Sequence, residues 1–328
     1  MMQTPFLISK EMLSSKCPAR PEFGHKGTFG RALICAGSQG MGGAAYMAAA
    51  SALRSGAGLV YILTEEELLS PLLTMCPEAL GLFFPGKMYG SGAELAASPK
   101  AKGPLLANGQ RVMGTSPFAQ WFAEQLTGKE ACLIGPGIPP SSKKLNMMIR
   151  IAAEHAPHLI LDAGALTCLA QDPEALSIVS KRTSHGLAPA VLTPHIGEFL
   201  RFAPVPKGKK GAEMRVASAF AEENKVVLVL KSHETNIFTP DGKWYSNPVE
   251  NSGLAKGGSG DVLAGLLTGL LSQGMTEEDA SLCAVGIHSL AGRMCAEEHG
   301  KRAMLLTMLW NYYDKCFMEL KWEEGTEK

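Results

Sequence analysis

Residues 31–63 read R-A-L-I-C-A-G-S-Q-G-M-G-G-A-A-Y-M-A-A-A-S-A-L-R-S-G-A-G-L-V-Y-I-L, and this stretch decides the fold class. Arg31–Ala36 is a short, mostly apolar run ending at Gly37-Ser38, the pattern of a buried strand closed by a turn. A helix is expected from about Gly43 to Ser55, and its many alanines predict close packing on a sheet. Gly58–Leu63 is the next strand and Glu65–Leu73 the next helix. Strand, glycine turn, helix and strand at this spacing form a βαβ unit, which requires parallel strands. The class is therefore α/β.

The same alternation continues on both sides. A lead-in helix and loop precede Phe23. Ala131–Gly135 reads as a strand, Lys143–Glu154 as a helix, His158–Asp162 and Ala190–Thr193 as strands. Helices are expected from Gly197 and over Gly211–Glu223. Lys225–Lys231 and Thr235–Thr239 follow as strands, with Pro240-Asp241-Gly242 turning the chain into Lys243–Tyr245. Beyond Asp261 the sequence predicts helices over Asp261–Gln273, Glu277–Glu298 and Leu305–Leu320. In the last, Met304, Met308 and Tyr312 recur at helical spacing as core residues. Between Pro85 and Pro117 the chain is rich in Gly, Ser, Pro and Lys without clear periodicity, so a surface insertion is expected there. No internal repeat is visible, and residues 1–328 are read as one domain.

Bulk properties exclude several function classes. Lys+Arg and Asp+Glu both total 31, giving no net charge to attract nucleic acid or an anionic membrane. The basic run Lys207–Lys210 reads as a solvated loop. Eight cysteines without a C-x-x-C pair, several inside apolar runs, predict reduced buried thiols rather than a disulfide framework or a zinc site. Pro5–Ile8 is too short for a signal sequence, and no uncharged apolar run of about 18 residues is present. A cytoplasmic location is expected.

The run carrying chemistry is Asn251–Gly265, N-S-G-L-A-K-G-G-S-G-D-V-L-A-G. Gly257, Gly258, Ser259 and Gly260 make a tight turn into an apolar helix, where free backbone N–H groups and the helix dipole favour an anion. Such a turn can hold the charge on a transferring phosphoryl group, and Asp261 beside it can take a hydroxyl proton. A carboxylate that merely stabilises a helix N-terminus is the bland alternative, against which the four small residues weigh. The run is no Walker A loop, because no G-K-[ST] follows the glycines. Gly37–Gly43 follows a strand but lacks the acidic residue of a dinucleotide fingerprint.

Six motifs occur in one order: Gly24–Ala45, Arg54–Gly58, Gly135-Pro136-Gly137, Leu161–Leu166, Leu192–Phe199 (L-T-P-H-I-G-E-F) and G-G-S-G-D. Together they resemble the ADP/ATP-dependent NAD(P)H-hydrate dehydratases, a branch of the ribokinase-like superfamily, over roughly Gly24–Gly300. The resemblance implies a three-layer α/β/α fold with a mostly parallel central sheet. It also implies a repair reaction in which the hydroxyl of a hydrated nicotinamide ring is phosphorylated and then lost as phosphate. Matched position by position, Asp261 takes the role of base and also touches substrate. Ala45, Gly137 and His195 fall in the hydrate site. Lys231, Ser232, His233, Glu234 and Thr235 form the adenine-nucleotide segment, with Gly260 against the phosphates.

The resemblance further implies Mg2+, ADP in preference to ATP, and a homotetramer. An epimerase domain carried by many bacterial relatives is expected on a separate protein. His233-Glu234 are bulkier than the small residues usual in the nucleotide segment. Asp162-Ala163-Gly164 replaces the commoner D-A-D, and Lys256 stands where Thr is frequent. The residues leave metal ligands open, with Glu198 either a helix-start carboxylate or a holder of magnesium and water. Two other functions remain: a ribokinase-like kinase for a hydroxymethyl group, and a nucleotide-binding protein without catalysis, which intact Asp261 argues against.

Overall fold

The βαβ unit at residues 31–63 lies near one edge of a ten-stranded sheet in the computed structural model, with a single strand beyond it. The structure describes residues 4–18, 20–84, 102–105, 111–113, 116–205, 212–248 and 251–322. The basic run Lys207–Lys210 lies outside them, as does most of the expected Pro85–Pro117 insertion.

From the N-terminus, β1 (Phe6–Leu7) and α1 (Lys10–Ser14) lead into β2 (Arg31–Cys35), α2 (Gly42–Arg54), β3 (Leu59–Thr64), α3 (Glu66–Met75) and β4 (Leu80–Phe83). A separate antiparallel ribbon, β5 (Lys102–Leu105) and β6 (Arg111–Met113), falls inside the expected insertion. Then come α4 (Pro117–Leu126), β7 (Ala131–Ile134), α5 (Lys143–His155), β8 (His158–Leu161), α6 (Gly164–Ala170) and α7 (Pro173–Ser180). The chain continues through β9 (Val191–Leu192), α8 (Ile196–Phe202), α9 (Ala212–Asn224), β10 (Val227–Leu230), β11 (Glu234–Phe238) and β12 (Trp244–Pro248). It ends with α10 (Ser259–Ser272), α11 (Glu277–Ala303) and α12 (Tyr313–Glu319).

Strand order is β1-β12-β11-β10-β9-β8-β7-β2-β3-β4, and every pairing is parallel except the two made by β11. Alternating side chains feed two cores, one on each face. Ala32 and Ile34 of β2 and Val227 and Val229 of β10 join the core beneath α2, α10 and α11. Leu33 and Cys35, with Leu228 and Leu230, join the core beneath α4, α5 and α9. Two covered faces make the three-layer α/β/α arrangement, which explains why the strands are apolar without alternating polarity.

The expected C-terminal helix over Leu305–Leu320 is corrected. Leu306–Tyr312 is a tight 3-10 segment, and only Tyr313–Glu319 is α-helical. Met304 and Tyr312 are buried all the same, so the core reading of the stripe holds. All eight thiols are free and seven are buried, as composition predicted. No helix among the described residues is long and apolar enough to cross a membrane.

Candidate active site

Helix α10 aims the site. It is buried on all sides from Val262 to Ser272, so its position is fixed by packing. Glycines bring it against α2: a β-carbon at Gly265 would stand 2.1 Å from the Ala48 carbonyl oxygen, and one at Gly269 would stand 1.9 Å from Ser55 Oγ. The Ser51 hydroxyl donates to the Val262 carbonyl at 2.7 Å, fastening the first turn. Gly258, with φ of 97°, turns the chain into the helix through a conformation that a side chain would strain. The N-terminus of α10 therefore opens beside the C-terminal ends of β8, β9 and β10, the edge where open α/β sheets take ligands.

A cleft of about 820 Å³ lies there. Asp261, Gly260 and Ser259 line it from α10, Asp162 and Ala163 from the end of β8, and His195 and Glu198 from the start of α8. Lys231, Ser232 and His233 line it from the β10–β11 connection, Thr235 from β11, and His288 and Ser289 from α11. Most of the residues named from the sequence thus meet in one place. Glu234 does not: its carboxylate accepts from Ser246 Oγ at 2.6 Å, away from the cleft. Ala45 and Gly137 also do not line the cleft. Both lie instead beside Gly37 where β2 and β7 end: Ala45 is fully buried, 3.1 Å from where a β-carbon at Gly37 would stand, the Gly37 N–H donates to the Pro136 carbonyl at 2.8 Å, and Ser38 Oγ donates to the Gly137 carbonyl at 2.7 Å. This is the point where strand order reverses, so it is a second natural ligand edge.

The two aspartates of the cleft differ sharply. Asp162 is almost wholly buried and accepts from Lys231 Nζ at 2.8 Å and Thr193 Oγ1 at 2.8 Å. Among the described residues, no hydrogen bond or ion pair holds the Asp261 carboxylate. Burial and the nearby Asp162 charge push Asp261 up to about 6, while Lys231 pulls it down. The Lys231 ammonium sits over the helix start, where a β-carbon at Gly260 would approach its Nζ to 3.0 Å. A carboxylate raised towards neutrality and left unpaired, beside a cation and a helix N-terminus, can accept a proton while an anion is held next to it.

Of the four residues read as the anion-holding turn, Ser259 has its own N–H committed to the Lys256 carbonyl at 3.3 Å. It can therefore offer a ligand only its hydroxyl. The N–H groups of Gly257, Gly258, Gly260 and Asp261 make no hydrogen bond among the described residues. Lys256 itself donates to the Arg302 and Met304 carbonyls at 2.8 and 2.6 Å, tying the turn to the end of α11.

His195 combines two roles. Its Nδ1 accepts from the Glu198 N–H at 3.2 Å while the Glu198 carboxylate accepts from the His195 N–H at 2.9 Å, a capping box for α8. Its exposed ring still faces the cleft. Ala163, at φ 48° and ψ −114°, is strained backbone on the wall of the cleft. The Gly164 that follows it is also required here, since a β-carbon would stand 1.9 Å from the Ile138 carbonyl oxygen. That contact gives a physical reason for D-A-G in place of D-A-D. Sequence reading gave no site role to Asp162, Thr193, Asn251 or His288. Asp162 alone left a signal, as the residue closing an apolar strand.

Known proteins share this fold. A family model described as NAD(P)H-hydrate dehydratase matches residues 32–315. The chain belongs to that family. The ADP-dependent (S)-NAD(P)H-hydrate dehydratase of Bacillus subtilis is 33% identical over 307 residues, covering 93% of this chain and 94% of that protein. The bifunctional NAD(P)H-hydrate repair enzyme of Moorella thermoacetica is 32% identical over 321 residues, or 98% of this chain. The chain spans about half the length of that relative, 55%. A crystal structure of the ADP/ATP-dependent NAD(P)H-hydrate dehydratase of Bacillus subtilis, co-crystallised with ATP and magnesium, matches with a TM-score of 0.75 at 29% identity. That match covers 98% of this chain and all of the other, so this dehydratase family member has the ribokinase-like fold expected from its motifs.

Proposed function

We propose that this chain dehydrates the (S)-hydrate of NADH or NADPH, with ADP as phosphoryl donor, releasing AMP and phosphate. The observation that carries the reading is the unpaired, raised Asp261 carboxylate beside free N–H groups at the start of α10. In the first step Asp261 takes the hydroxyl proton as the hydrate oxygen bonds to the terminal phosphorus of ADP. The bond from that phosphorus to the bridging oxygen breaks, and AMP leaves. The turn Gly257–Gly260 and the Lys231 ammonium stabilise the charge on the moving group. In the second step the carbon–oxygen bond to the new phosphate breaks, the adjacent ring carbon loses a proton, and the double bond returns.

Lys231, Ser232, His233 and Thr235 hold the nucleotide in this reading, with Glu234 acting through its backbone. His195 faces the hydrate. Gly137, where β2 and β7 end, receives the part of the dinucleotide that extends from the reacting ring, and the buried Ala45 supports that edge from beneath Gly37. Among the described residues, no group of three or more His, Cys, Asp or Glu converges on a metal position. A magnesium ion arriving on the nucleotide's phosphates needs only one or two carboxylates, and Asp162 and Glu198 line the cleft. When bound, it would neutralise phosphate charge.

The same reading has the chain work as one catalytic domain, in the cytoplasm and as a homotetramer. The exposed Phe6 and Leu7 of edge strand β1 offer apolar surface to a second copy. Light scattering at working concentration decides the assembly.

The activity is tested by mixing protein, NADH hydrate and magnesium with ADP or with ATP and following the reduced-nicotinamide absorbance band. Recovery with ADP, faster than with ATP, is expected. No recovery with either nucleotide would favour a hydroxymethyl kinase and overturn the proposal.

A further inference from the structure

His288 sits on α11 among Val285, Gly286 and Ile287, and it is the one histidine that the fold buries among the described residues. Burying an imidazole without a partner costs free energy, so its partner is informative. That partner is Ser259: His288 Nε2 lies 3.4 Å from Ser259 Oγ. Burial holds the ring down at about 4, with the Ser259 backbone opposing and Lys231 adding to the effect, so the ring is neutral at working pH.

The chemistry of Ser259 gives this contact a purpose. Its backbone N–H is spent on Lys256, so its hydroxyl is what it presents to an anion in the turn. A hydroxyl has one proton and accepts through its lone pairs. If that proton is to face a phosphoryl oxygen, the hydroxyl oxygen must accept from its other neighbour.

Building on the dehydratase reading, we propose that His288 is a positioning residue. It donates Nε2–H to Ser259 Oγ and so directs the hydroxyl proton of Ser259 at the transferring phosphoryl group. The ring touches neither substrate nor nucleotide in this role; it acts through Ser259.

The test is a double-mutant cycle on the hydrate reaction with ADP, comparing His288→Ala, Ser259→Ala and the double variant. His288→Ala is expected to lower kcat roughly ten- to hundredfold with the KM for ADP nearly unchanged. The double variant should be no slower than Ser259→Ala alone, because removing the hydroxyl leaves His288 nothing to orient. Additive losses, or an effect on KM alone, would overturn the proposal. Two variants closer in size keep the test open should alanine unfold the chain. Glutamine can place an N–H near the Nε2 position and asparagine cannot, so His288→Gln should recover most of kcat and His288→Asn should not. Equal rates for the two would also overturn it. Wild-type turnover separates the failures: without any, the dehydratase reading falls; with it, additive losses sink the His288 role alone.

Discussion

Arg182 and Asp261 are both charged groups withdrawn from water, and the protein treats them in opposite ways. Arg182 is 1% exposed, at the start of the 3-10 segment after α7, and its guanidinium is saturated. It donates to the carbonyls of Ala152, Ala153, Ala156, Pro157 and Ala188 at 2.8–3.1 Å, closing the C-terminal end of α5. Burial lowers it to about 10, with Glu277 opposing, so it stays charged at neutral pH. Asp261 has no such partners among the described residues, and its affinity for a proton is raised by burial and by the Asp162 charge. A saturated charge serves stability; an unsatisfied one at the mouth of a cleft is held ready for a ligand.

Substitution at each group separates a charge held for function from one held for stability. Asp261→Asn should lower turnover roughly a thousandfold or more, while ADP affinity by calorimetry changes only a few-fold. Near-normal turnover would remove Asp261 from the role of base. Arg182→Met should cost about 3–5 kcal/mol of stability in denaturant titration, because five carbonyls lose their donor. Turnover per folded molecule should hardly change, since the side chain lies remote from the cleft.

A smaller loss is expected for Asp172→Ala. Asp172 caps α7 by accepting from the Glu174 and Ala175 N–H groups at 3.1 and 3.0 Å, and also binds Asn146 and Arg150. The hydrogen bond from Asn146, then those from the Ala175 N–H and Arg150, hold its carboxyl well below the usual range. Its stabilisation is thus present above the unfolded value near 4 and fades as pH falls below it. Thermal unfolding should show a loss of about 2 kcal/mol at pH 7 that shrinks in strong acid.

The smallest effect has the opposite sign. Because the folded value of Asp261 lies above its unfolded value, its favourable contribution is present below about 4 and is lost as pH rises through about 6. Asp261→Asn should therefore stabilise the fold by about 1–2 kcal/mol at pH 8 and by almost nothing at pH 4. The inactive variant melting higher than the wild type at pH 8 would be the signature of a site left unsatisfied for function.

Much of this was legible in the residues. Alternating apolar runs and glycine turns gave β2–α2–β3, β7–α5–β8 and the β11–β12 hairpin to within a few residues of their ends. The turn before Asp261 was read from its glycines. Helices α4 and α7 went unread although Ser116-Pro117 and Asp172-Pro173 each supply a cap followed by proline at the helix start. The two-residue strand β1 is too short for periodicity to reveal; its pairing with β12 comes from tertiary structure. The site's hidden members, Asp162, Thr193 and His288, are brought together by strand register and by the packing of α10 against α11. Nothing local to those residues records that meeting.

In the proposed reaction Asp261 works as an unpaired base whose proton affinity is set by burial and by Asp162. The most direct measurement is the rate of NADH recovery from its hydrate against pH, with saturating ADP and magnesium. The rate should climb with pH through a single ionisation near 6 and then level off. A rate indifferent to pH from about 4.5 to 8, with the chain folded and ADP bound throughout, would contradict it.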